Sequence, residues 1–89
     1  MNTNSNLQKL IIDRLTKAFD PSILELIDET HKHQKHKHFQ SGKFHFKLRI
    51  ASLKFVTLST IKAHQEIYTC LGDLMKDQIH ALSIHIENN

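Results

Sequence analysis

Phe44-His45-Phe46-Lys47-Leu48-Arg49-Ile50-Ala51 alternates apolar and polar side chains through seven consecutive positions. A strand sends successive side chains to opposite faces, so this stretch predicts a half-buried β-strand. Phe44, Phe46, Leu48 and Ile50 share the face turned to a core. His45, Lys47 and Arg49 share a basic face turned to solvent, which favours a sheet covered by helices on one side only.

Upstream, residues 30–42 are dense in His, Lys and Gln and show no apolar period, which predicts a long exposed loop. Before it, Ile23 to Asp28 mixes Ile and Leu with Glu25 and Asp28 and reads as another strand. Strand, loop and strand suggest an antiparallel hairpin. Earlier still, Leu7, Leu10, Ile11, Leu15 and Ala18 follow helical spacing. Ser5 or Asn6 can cap that helix, and Asp20-Pro21 stops it, which gives a helix over 6–19 behind a tail at 1–5.

Downstream, 53–58 is irregular, and Ser59 or Thr60 can cap a helix over 59–76. Its inner stripe reads as Ile61, His64, Tyr68, Leu71 and Met75, with Ile67 and Leu74 beside it. Ile79 to Ile86 is the last strand. His80, Leu82, Ile84 and Ile86 share one face, and Ile79, Ala81, Ser83 and His85 the other. Residues 87–89 form a short tail.

The order αββαβ places the chain in the α/β class, of the α+β kind. It predicts one domain over 6–86, a three-stranded mixed sheet with helices on one face. Hydrophobic residues at 39% and charged residues at 24% fit an ordinary folded domain rather than a disordered chain. One Pro and two Gly leave no linker that would divide it. No apolar run approaches the ~20 residues of a membrane span. The polar, uncharged start does not read as an export signal, and a single cysteine, Cys70, forms no internal disulfide. A reducing, cytoplasmic setting is the expectation.

Between Thr30 and Gln65 there are eight Lys and Arg and no Asp or Glu, whereas the rest of the chain holds four basic residues and nine acids. A basic middle suits an anionic partner such as nucleic acid. Lys32, Lys35, Lys37, Lys47, Arg49 and Lys62 are the candidate contacts. A solvated basic face is the plainer reading. Base stacking would require exposed aromatics, and Phe39 is the obvious one.

Signatures of hydrolases and phosphate loops are missing: there is no G-x-S-x-G, H-E-x-x-H or Gly-rich loop. Cys70 and His64 have no nameable catalytic partner, so no catalytic residue and no enzyme activity is expected. Histidines carry the chemistry instead. There are eight, and His31, His33, His36, His38 and His45 crowd one stretch. Neutral imidazole binds Zn, Cu, Ni and Fe. The residues alone favour a solvated loop, a surface role for His45, a core hydrogen bond for His64, and a partly buried, satisfied ring for His80.

Leu24-Glu25-Leu26-Ile27-Asp28-Glu29-Thr30-His31, His45-Phe46-Lys47-Leu48, Gly72-Asp73-Leu74-Met75 and Ile79-His80-Ala81-Leu82-Ser83-Ile84 together resemble the BolA family. The likeness spans about residues 7–86. It implies an αββαβ fold related to class II KH domains. It also implies a monothiol glutaredoxin partner with which a bridged [2Fe-2S] cluster is shared, the partner supplying its cysteine and glutathione. The cluster ligands so implied are the histidine of His-Ala-Leu, here His80, and a His or Cys in the loop between the first two strands. Counting from Asp28-Glu29 favours His33, and counting back from His45 favours His36. A role in cluster assembly, trafficking or iron and redox regulation follows, for a protein that is a monomer or weak homodimer alone. DNA-binding transcriptional regulation is the alternative. Two family features differ. Phe-x-Gly is Phe55-Val56-Thr57, and Arg-His-Arg is Ala63-His64-Gln65, which removes two positive charges that Lys62 replaces in part.

Overall fold

The computed structural model describes residues 3–30 and 44–87. Helix α1 (Thr3–Phe19) is followed by strands β1 (Ile23–Asp28) and β2 (Phe44–Ala51). A 3-10 turn (Leu53–Phe55), helices α2 (Thr60–Leu71) and α3 (Asp73–Asp77) and strand β3 (Ile79–Ile86) complete the order. All three strands match the boundaries expected from their patterns. Helix α1 starts at Thr3, inside the stretch read as a tail.

β2 is central, antiparallel to β1 and parallel to β3. Leu24 pairs with Ile50 and Leu26 with Leu48, so the apolar sets of β1 and β2 lie on one face. Leu7, Ile11, Leu15 and Phe19 of α1 recur every four residues and join Phe46, Leu48 and Ile50 in the core. Leu48 and Ile50 are completely buried. Burying side chains of this size stabilises by about 1.5–3 kcal/mol each. The helices therefore cover the even-numbered face of β2, and the odd-numbered face carries Lys47 and Arg49.

Helix α1 ends where Asp20 takes a left-handed φ of 45°, with its N–H donating to the Thr16 carbonyl at 3.0 Å. Pro21 disfavours the right-handed helical region at Asp20, and aspartate tolerates the left-handed one.

Helix α2 differs from its expected form in two ways. Its buried stripe is Ala63, Ile67 and Leu71, continued by Leu74 of α3. Ile61 and Tyr68 are 72% and 41% exposed, whereas Leu71 and the flanking Ile67 and Leu74 are buried as expected, so the inward face is centred on the flanking side of the expected stripe. Weighing only large apolar side chains conceals the small Ala63, which occupies the inward position. The expected single helix over 59–76 is also broken. Gly72 adopts φ 49°, ψ −119°, which separates α2 from α3.

The sheet holds one irregularity. Phe44 pairs with Ile79, but His45 pairs with Ala81. His80 is thus a surplus residue on β3, a bulge of a kind seldom found between parallel strands. The extra residue shifts the alternation by one. Ile79 enters the core at 3% exposure, and Leu82, Ile84 and Ile86 also pack against it. The expectation that His80 shares the face of Leu82 is therefore corrected: its ring is exposed.

Candidate functional site

His80 stands where the sheet opens, at the start of β3 and beside the start of β2. Its ring lies against that of His45, with centroids 4.9 Å apart and planes inclined at 55°. The two rings differ in access. His80 is exposed, and His45 is buried at 9%. A surface role for His45 is not what the structure supports, because its side chain is buried and its ring lies against that of His80.

The end of β1 fixes the His45 backbone on both sides. The Glu29 N–H donates to the His45 carbonyl at 2.8 Å. The His45 N–H donates to Thr30 Oγ1 at 3.1 Å. Thr30 in turn donates from its hydroxyl to Asp28 Oδ1, which also accepts the Thr30 N–H at 2.8 Å. An aspartate that closes a turn on the residue two positions on is a common local device. Here it sets the point from which residues 31–43 depart.

His33 and His36, with Lys32, Lys35 and Lys37, lie outside the described residues. The chain leaves for them at Thr30 and returns at Phe44. Both points adjoin His45, and Phe44 pairs with Ile79, next to His80. Among the described residues no group of three or more His, Cys, Asp or Glu side chains could hold a metal ion.

The remaining candidates sit elsewhere. Lys47 is exposed on the outer face. Arg49 beside it is engaged: Nη1 meets Glu25 at 3.1 Å and Nε meets Glu87 at 2.9 Å. The hydrogen bond from Arg49 holds the Glu87 carboxyl below its usual range, and the same bond raises Arg49. Its charge is thereby compensated within the sheet. Lys62 faces Glu66 at 3.6 Å, one helical turn on.

His64 is half-buried on the wall of a cleft of about 490 Å³ at the far end of β3. His85, Glu87, Ser59, Phe55 and Ile86 also line this cleft. Cys70 donates to the Arg14 carbonyl at 3.5 Å, and burial pushes its thiol up, opposite to an activated nucleophile. No helix among the described residues is long and apolar enough to cross a membrane.

A model of BolA-like proteins matches residues 15–89. The chain belongs to the BolA family. A BolA-like protein of Dictyostelium discoideum is 39% identical over 85 residues, covering 94% of this chain and 72% of that protein. The DNA-binding transcriptional regulator BolA of Haemophilus influenzae is 32% identical over 81 residues, covering 91% and 76%. Among solved structures, the BolA domain of SufE1 from Arabidopsis thaliana superposes with a TM-score of 0.80 at 34% identity, covering 99% of this chain and 94% of that one. These BolA relatives carry names of regulators or of BolA-like proteins, and the expected fold is the one their structures share.

Proposed function

We propose that this BolA-like protein is a non-catalytic adaptor that docks a monothiol glutaredoxin and shares a bridged [2Fe-2S] cluster with it. In this reading His80 and one of His33 or His36 ligate one iron, and the partner's cysteine and glutathione complete the other side. The carrying observation is the position of the exposed His80 ring on a bulge beside both ends of a histidine-rich segment. The fit rests on donor chemistry. An exposed imidazole is a sound iron ligand, and a [2Fe-2S] cluster accepts histidine in place of thiolate on one iron. Two imidazoles on one iron raise the cluster potential relative to thiolates alone.

The test is to mix the full chain with cluster-loaded glutaredoxin and record visible absorption and circular dichroism. His80→Ala should abolish the spectral change that mixing produces, and replacing His33 and His36 in turn should identify the second ligand. A His80→Ala spectrum identical to wild type would remove this reading.

A second reading is DNA-binding regulation, favoured by the name of the Haemophilus influenzae relative. Lys47 is the exposed basic residue on the outer face, whereas Arg49 is neutralised by Glu25 and Glu87. DNA affinity that falls steeply with salt and drops for Lys47→Ala, but not for His80→Ala, would select this reading. Affinity indifferent to Lys47 and Arg49 would exclude it.

A further inference from the structure

Side chains at a sheet end are ordinarily free to turn. His80 is placed differently, because its exposed ring lies on a second ring that is itself buried. That second ring belongs to a residue whose backbone is held from both sides, through the Glu29 N–H and the Thr30 hydroxyl, with Asp28 behind Thr30. The bulge makes this an off-ladder contact: His45 pairs with Ala81, and the surplus His80 lies beside that pair. A continuous path thus runs from the end of β1, through His45, to the His80 ring.

We infer that His45 is a positioning residue, the fixed floor on which the His80 ring rests so that it meets an incoming metal centre already oriented. This rests on the reading of His80 as a ligand. It adds a role for a side chain that no family match assigns. Its low exposure separates this role from ligation: the ring of a residue only 9% exposed supplies a surface more readily than a donor atom. Groups that orient a ligand commonly change metal affinity by about 10–100-fold when removed. A planar ring of similar size should replace His45, and a side chain without a ring should not.

The experiment has two readouts on the full-length chain. The first is the midpoint of the visible circular dichroism change on titration with cluster-loaded monothiol glutaredoxin. The second needs no cluster: side-chain NMR couplings of His80 in the free protein, which report whether its ring holds one rotamer. His45→Ala should weaken the midpoint about tenfold and average the His80 couplings, and His45→Phe should stay within about twofold of wild type. Should His45→Ala fold poorly, His45→Thr keeps strand propensity without a ring and carries the same comparison.

Wild-type behaviour of His45→Ala or His45→Thr in both readouts would overturn the inference. So would a His45→Phe variant as impaired as His80→Ala, since His45 would then be acting through its nitrogens. If His80→Ala itself leaves the spectrum unchanged, the cluster reading fails, and the NMR couplings alone decide whether His45 orders the His80 ring.

Discussion

Across the parallel β2–β3 pair, Arg49 donates from Nε to Oε1 of Glu87 at 2.9 Å. This bond ties the end of β3 to the central strand on the face away from the helices. Its effect on stability has a defined sign. Glu87 titrates lower when folded than when unfolded. The folded state therefore gains from the ionised carboxylate above the unfolded value of about 4.3, and loses that gain as pH falls through the folded value. Arg49 is raised, so its share is lost only on strongly alkaline titration. Urea midpoints should fall between pH 5 and pH 3 more in wild type than in Glu87→Gln. NMR titration should place the Glu87 carboxyl below the ordinary glutamate range.

His80→Ala should leave stability within about 0.5 kcal/mol of wild type, because the ring is exposed and the core is filled by Ile79 and Leu82. Thermal and urea unfolding check this. A near-neutral result also qualifies the variant as a clean probe of ligation.

Leu48→Ala should cost about 2–5 kcal/mol. Leu48 is completely buried at the centre of β2, between Leu26 and Ile84 on the flanking strands. Urea unfolding should show a lower midpoint with an unchanged slope.

Gly72→Ala should destabilise by about 1–3 kcal/mol through its backbone alone. The φ of 49° with ψ of −119° is a conformation that residues with a Cβ seldom adopt. An added Cβ would meet the Thr69 carbonyl oxygen at 3.6 Å, an ordinary contact. A variant as stable as wild type by thermal unfolding would mean that the α2–α3 junction relaxes to another shape.

Strand boundaries were legible because alternation in β2 and the Ile- and Leu-rich runs of β1 and β3 leave few other solutions. The helix stripe was legible in part in α1: Leu7, Ile11 and Leu15 are buried as expected, but Leu10 is 40% exposed and Phe19, outside the expected set, joins the core. In α2 the inward position belongs to Ala63, whose small size hides it from any reading weighted by hydrophobicity. The bulge was not legible at all. Strict alternation over Ile79 to Ile86 assigns His80 to the core face, and only pairing with β2 reveals the surplus residue. His45 was missed because alternation places it on the outer face, where the sequence pattern does not show that its ring meets that of His80 and is buried. The resemblance to BolA proteins singled out His80 where periodicity alone would have kept it inside.

The surplus residue on β3 makes length, more than composition, the sensitive variable between Gln78 and Leu82. Exchanging one side chain there alters one contact. Removing one residue would restore plain alternation, with Ile79 and Leu82 still inward and a single outward position where His80 and Ala81 now stand. Chain length at this junction therefore decides whether one or two side chains point outward beside His45.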